Sequence, residues 1–141
     1  MTIKQLSSSI VYNRFHMRQD IVLRGMVREG QKRGKRLGFP TANFTLSEQV
    51  EEGIYISQTE IDGITYNSLT FIGSAKTYNE TTYQAETYIF AFDENIYGKE
   101  ITVTLLKKIR GNQKFASETE LIAEMERDKK VALEFFRRGK R

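Results

Sequence analysis

The sequence predicts a mainly β domain, an antiparallel barrel or sandwich, followed by one C-terminal helix. Three observations predict it: five or six short runs of β-branched and aromatic residues, turn dipeptides between them, and a change to helical spacing after Ser117. Ile21-Val22-Leu23 and Met26-Val27 open the series. Ile54-Tyr55-Ile56-Ser57 and Ile64-Thr65-Tyr66 flank Asp62-Gly63, a dipeptide suited to a tight hairpin because both positions tolerate positive φ. Thr87 to Phe92 reads as the next strand, Asp93-Glu94-Asn95 as the turn behind it, and Ile101 to Leu106 as the last strand. Ser117 to Glu120 then fits a capping box, with Ser at the N-cap and Glu three residues on. Leu121, Ile122, Met125, Val131, Ala132, Leu133, Phe135 and Phe136 continue at helical spacing for about five turns, and Gly139 ends them. The apolar stripe of this helix is expected against the barrel.

The length, 141 residues, fits a single domain, and 39% hydrophobic with 28% charged residues argues against wholesale disorder. Residues 1–20 are expected as a partly ordered extension, and residues 21–141 as the barrel plus helix. With no Cys, disulfide scaffolds, thiolate zinc sites and Cys nucleophiles are excluded; with His16 as the sole His, so is an imidazole metal cluster. No apolar run approaches the roughly 20 residues needed to span a bilayer. Met1–Asp20 also lacks the apolar core of a signal peptide. A soluble, cytoplasmic protein is expected, working with carboxylates, hydroxyls, Lys, Arg or backbone.

The net charge of +4 is unevenly placed. Arg24, Arg28, Lys32, Arg33, Lys35 and Arg36 stand against the single acid Glu29, a balance that favours anionic partners. A second cluster, Arg137, Arg138, Lys140 and Arg141, reads as solvated surface. Gly25, Gly30, Gly34 and Gly38 thread the first cluster and leave its backbone N–H groups bare for close approach to an oxyanion. The pattern is neither a Walker A loop nor a dinucleotide fingerprint, so it reads either as a phosphate cradle or as a flexible basic hairpin. Thr41 and Asn43 are hard oxygen donors two residues apart, facing the same way in an extended segment. They suit a Mg²⁺ ion held chiefly by phosphates, or they satisfy turn backbone. Glu86 in its β-rich stretch reads, on pattern alone, as a solvated strand residue.

The stretch Gly34-Lys35-Arg36-Leu37-Gly38-Phe39-Pro40-Thr41-Ala42-Asn43-Phe44 closely resembles the signature of riboflavin kinases, in particular the C-terminal kinase module of bacterial bifunctional FAD synthetases. The resemblance continues in order through Gly53-Ile54-Tyr55, Ile72-Gly73, Glu86-Thr87-Tyr88-Ile89-Phe90, Ile96-Tyr97-Gly98-Lys99, Ile109-Arg110 and Lys114-Phe115. It covers the chain from Val22 to Phe136. It implies a six-stranded antiparallel Greek-key barrel with a C-terminal helix, and transfer of the γ-phosphoryl of MgATP to the 5′-hydroxyl of riboflavin, giving FMN and ADP. Carried over by motif, Glu86 is the base. Gly30, Lys32, Gly34, Lys35, Gly38, Pro40, Thr41 and Asn43 bind the nucleotide, with Thr41 and Asn43 also on the metal, and Arg110 and Phe115 belong to the flavin side. The implied partners are ATP and riboflavin, with no membrane, no nucleic acid and a monomeric state expected.

The family form Asn-Ile-Gly-x-Arg-Pro-Thr is altered here, with Phe71 for the Asn, Ala75 for the Arg and Lys76 for the Pro, while Asn112 stands where an acid is common. These changes touch substrate fit more than chemistry. No nucleotidyl-transferase segment precedes the barrel, so FMN and not FAD is the expected product. Two other readings compete: a non-catalytic flavin- or nucleotide-binding module, and a small basic barrel binding RNA or single-stranded DNA on its aromatics. Retention of Glu86 argues against the first. Concentration of the basic charge in one Gly-rich loop argues against the second.

Overall fold

The computed structural model describes residues 20–29, 38, 40–76 and 78–139. Residues 1–19 of the extension expected over 1–20, and the loop residues Gly30, Lys32, Gly34 and Lys35, lie outside the described residues. Six strands, β1 (Ile21–Met26), β2 (Ala42–Leu46), β3 (Gly53–Ile61), β4 (Ile64–Lys76), β5 (Thr81–Ile89) and β6 (Glu100–Arg110), precede one helix, α1 (Glu118–Arg137). All strand pairs are antiparallel, in the order β1-β6-β3-β4-β5-β2. Three consecutive strands, β3, β4 and β5, form a meander, and β6 returns to lie beside β3, which is the Greek-key arrangement.

The sheet curls into a nearly closed barrel. Its two edge strands meet where Arg28, just beyond β1, bridges to Asn43 of β2, the Arg28 N–H donating to the Asn43 carbonyl at 2.7 Å. This closure requires Gly25. A Cβ there would overlap the Phe44 ring, standing 2.7 Å from Cγ, so only a bare backbone lets β1 approach β2.

Side chains alternate across the strands. Leu23, Phe44, Tyr55, Ile72, Ala85 and Val103 fill the barrel. The opposite face of β3, β4 and β6 presents Ile54, Ile56, Leu69 and Leu106 to Ala132 of α1, with Phe71, Phe90, Ile109, Phe135 and Phe136 packed around them. The helix thus covers the barrel wall as its apolar stripe predicts, although Val131 and Leu133 turn outward. Ser117 caps it by accepting from the Glu120 N–H at 3.2 Å, while Glu120 Oε1 accepts from the Ala116 N–H at 3.1 Å.

The barrel interior is not wholly apolar. Thr59, Ser68, Ser57, Thr70 and Thr87 are fully buried there and joined in a chain: Thr59 to Ser68 at 2.9 Å, Ser68 to Ser57 at 2.7 Å, Ser57 to Thr70 at 2.8 Å and Thr70 to Thr87 at 2.9 Å. These hydroxyls explain why β4 is much longer than Ile64-Thr65-Tyr66. Its inward positions after Tyr66 are Ser68 and Thr70, so no hydrophobic alternation marks them in the sequence.

The Asp62-Gly63 turn is as expected, with φ of 52° and 83°. The strand expected over Thr87 to Phe92 instead starts at Thr81 and ends at Ile89. Ala91 turns the chain with φ 56°, which sends Phe90 toward the helix and Phe92 edge-on to Tyr66 at 4.9 Å between centroids. The last strand runs past Leu106 to Arg110, through a register shift opposite Ile56 and Ser57 that buries Leu105 and Leu106 on opposite faces.

Gly25→Ala is expected to destabilise the protein by about 1–3 kcal/mol through forced displacement of Phe44. Urea unfolding measures this, and an unchanged midpoint would show that the β1–β2 approach has slack.

Candidate active site

Pro40, Thr41 and Asn43 enter β2 at the seam, and all three line a cavity of about 330 Å³ at that end of the barrel. Inward residues Val27, Ala42, Thr87 and Ile89 form its floor. The connection after β5 supplies the opposite side with Asp93, Glu94, Asn95 and Tyr97, where Asn95 Oδ1 accepts from the Tyr97 N–H at 2.9 Å to hold the turn. Thr41 and Asn43 therefore both line one cavity, as does Ala42 between them. Among the described residues the Asn43 amide makes one long 3.5 Å contact, to the Thr41 carbonyl. Gly38 takes a positive φ of 93°, a conformation that favours glycine.

Glu86 does not line this cavity. It sits directly opposite Asn43 on β5, and opposite Phe71 on β4. Paired residues share a face with Cβ atoms about 4.5–5.5 Å apart, so Asn43, Glu86 and Phe71 form one outward row. The row continues through Ile54 to Arg110 on β6. Sequence separation hides it: five residues on five strands meet only through register. Desolvation by the surrounding wall pushes the Glu86 carboxyl above its ordinary range, although the side chain keeps access to solvent. Tyr88, two residues along on the same face, lies under Lys129 of α1 at 5.7 Å from its ring centre.

Arg110 is held by the helix. Its Nε and Nη2 donate to the two carboxylate oxygens of Asp128 at 2.9 and 2.7 Å, its Nη1 donates to the Gly111 carbonyl at 3.2 Å, and Glu124 stands at 3.5 Å. This fork ties the end of β6 to α1 and places the guanidinium 5.9 Å from the centre of the Phe115 ring. Hydrogen bonding to Asp128 raises the Arg110 pKa still further, so the charge is permanent. Sequence reading found Arg110 and Phe115 but not Asp128. It also missed Phe71 as a neighbour of Glu86, and Thr87 as part of the cavity floor.

Among the described residues no cluster of His, Cys, Asp or Glu has the makings of a metal site. The neutral oxygens of Thr41 and Asn43 in one cavity fit a Mg²⁺ ion that takes most of its ligands from phosphates and water. No helix among the described residues is long and apolar enough to cross a membrane.

Fold and site together define the class: a six-stranded Greek-key barrel with a C-terminal helix, sharing its fold with riboflavin kinase from Trypanosoma brucei (TM-score 0.61, 23% identity, 86% of this chain and 83% of that one). The family model for Flavokinase, riboflavin kinase, matches residues 17–136, and the chain belongs to that family. It is 44% identical over 117 residues to the trifunctional protein RibF/MnmA of Mycoplasmoides gallisepticum, covering 81% of this chain and 18% of that protein. It is 34% identical over 124 residues to the bifunctional riboflavin kinase/FMN adenylyltransferase of Bacillus subtilis, covering 84% of this chain and 39% of that one. A Streptococcus pneumoniae structure described as a macrolide-efflux protein superposes with a TM-score of 0.74 at 32% identity, over 80% of this chain and 38% of its own. The chain thus spans well under half the length of these bacterial relatives.

The raised Glu86 carboxyl has a stability consequence. An acid whose pKa is higher in the folded than in the unfolded state binds its proton more tightly when folded. The stability it contributes is present at low pH and lost as pH rises from the ordinary carboxylate range through the raised value. Glu86→Gln removes that loss. In urea unfolding the variant is expected to be more stable than wild type at about pH 7, with the excess shrinking toward about pH 4. A variant no more stable at neutral pH would contradict the desolvated placement.

Proposed function

We propose that this chain transfers the γ-phosphoryl of MgATP to the 5′-hydroxyl of riboflavin, giving FMN and ADP. The observation that carries this reading is the cross-strand pair Asn43–Glu86, which joins a cavity suited to a nucleotide to the helix-flanked face that carries Phe71 and Arg110. The nucleotide occupies the cavity, with Thr41 and Asn43 serving its phosphates and Pro40 and Gly38 beside them. Gly30, Lys32, Gly34 and Lys35 of that loop supply bare amides and positive charge to the phosphates. Bound Mg²⁺ neutralises phosphate charge, and Thr41 and Asn43 are the residues to hold it. Riboflavin lies on the outer face beside Glu86, with Phe115 and the fixed guanidinium of Arg110 flanking it.

Phosphoryl transfer asks a protein for alignment and charge neutralisation more than for covalent chemistry. Glu86 aligns the 5′-hydroxyl and takes its proton as the oxygen bonds to the γ-phosphorus, while the bond from that phosphorus to the bridging oxygen breaks and ADP leaves. A desolvated carboxylate is a stronger base than a solvated one, so its raised pKa suits this role. Work on ATP and a vitamin suits a cytoplasmic, monomeric enzyme acting on small molecules.

Glu86→Gln is expected to lower kcat by about 10²–10⁴ with little change in KM for MgATP. Asn43→Ala is expected to weaken MgADP binding in calorimetry. Unchanged turnover in the first variant would remove Glu86 from the chemistry; wild-type affinity in the second would remove Asn43 from the nucleotide site.

A further inference from the structure

The connection from β6 to α1 carries Phe115, which alone among residues 111–117 is not exposed. Its first residue, Gly111, gives the connection no stiffness: nothing stands within 4 Å of where a Cβ would be, and a bare backbone turns freely. Stiffness comes one residue later. Asn112 Nδ2 donates to Glu52 Oε1 and to the Ile72 carbonyl, both at 3.1 Å, and Ser74 Oγ donates to the other Glu52 oxygen at 2.8 Å. This network gathers the residue before β3, two positions on β4 and the start of the connection at one end of the barrel. The far end of the connection is fixed as well, by the Ala116 N–H on Glu120 and by the Ser117 cap. Only Gln113, Lys114 and Phe115 lie between the two anchors. The network also accounts for the amide at position 112, where the family commonly has an acid. A carboxylate there would face the Glu52 carboxylate, whereas an amide donates to it.

We propose that Asn112 is a positioning residue for riboflavin: its amide fastens the connection to the barrel and so holds Phe115 on the flavin side before the substrate arrives. The inference rests on the placement of riboflavin beside Arg110 and Phe115 argued above. Arg110 and Asn112 fasten the chain in two directions, the guanidinium to Asp128 of α1 and the amide to Glu52 and Ile72. Between these ties the chain has no freedom to swing about Gly111, and the Phe115 ring stays 5.9 Å from the guanidinium. A connection led by glycine and left untied would have to be ordered at the moment of binding, at a cost in affinity for each residue fixed. The Asn112 network meets that cost in the free protein.

The test separates the two substrates. Asn112→Ala is expected to weaken riboflavin binding, followed by flavin fluorescence, by about 3- to 10-fold. KM for riboflavin should rise by the same factor with kcat near the wild-type value, and MgADP affinity in calorimetry should not change. Trypsin should cut after Lys114 faster than in wild type, a direct reading of the loosened connection. Asn112 is exposed, so its variants are expected to unfold near the wild-type midpoint. Asn112→Asp should also weaken riboflavin binding, and adding Glu52→Gln to it should recover affinity, because the Gln amide then donates to the new carboxylate. Wild-type riboflavin affinity in Asn112→Ala would overturn the proposal, and so would equal losses of riboflavin and MgADP affinity, the mark of a merely structural contact. No recovery in the double variant would overturn it as well. Failure of wild type to bind riboflavin would overturn the placement of the substrate and this inference together.

Discussion

A curled sheet with two free edges must bring those edges together, and here the Arg28 N–H donates across the seam to the Asn43 carbonyl while Gly25 packs against Phe44. The candidate cavity opens beside this seam. Gly25 removes the side chain that would keep β1 away from Phe44, and the approach it permits sets β2 in place at the seam. Asn43 closes the barrel with its carbonyl and lines the rim of the cavity, while its side chain shares the outward row with Glu86. Because β2 pairs with β5, the same residue stands beside Glu86. A change that opened the seam would part Asn43 from Arg28 and widen that end of the cavity while leaving its pairing with Glu86 on β5 in place.

The two faces of the barrel wall carry different work. Inside, a chain of hydroxyls replaces part of the expected apolar filling and leads to the cavity floor at Thr87. Outside, α1 buries one side of the wall against Ile54, Ile56, Leu69 and Leu106, and the uncovered remainder holds Glu86. The helix is fastened by more than apolar contact. Asp128, nearly inaccessible, receives both arms of the Arg110 fork, which pins the end of β6 and the connection bearing Phe115. A part-buried pair of this kind contributes little net stability over an apolar replacement, but losing one partner strands a desolvated charge. Its consequence for the site is geometric: Arg110 is oriented without help from any ligand.

Elements decided by neighbouring residues were legible in the sequence. Asp62-Gly63 specifies its own turn through the positive φ it tolerates, and Ser117 with Glu120 specifies the start of α1. Features decided by register were not. Phe71, seen in the sequence only as a departure in a loop, is a cross-strand neighbour of Glu86, and nothing local announces that 15 residues separate positions that touch. The length of β4 was hidden because its inward residues are hydroxyls whose partners lie on other strands. The end of β5 was misplaced because Phe90 and Phe92 continue an apolar pattern, while Ala91 between them takes a left-handed backbone that composition does not betray. Of the candidate site, spacing singled out Thr41 and Asn43 without deciding between ligand contact and turn backbone. Glu86 acquired meaning only from the family resemblance, and its opposition to Asn43 only from the fold.

The central claim is that this barrel brings a nucleotide and riboflavin together across the Asn43–Glu86 pair for phosphoryl transfer. It is tested most directly by incubating the purified chain with riboflavin, ATP and Mg²⁺ and separating the products by chromatography. The account predicts FMN and ADP appearing in equal amounts, with formation of both dependent on riboflavin. ADP and inorganic phosphate without FMN, or no turnover despite binding of both substrates, would contradict it.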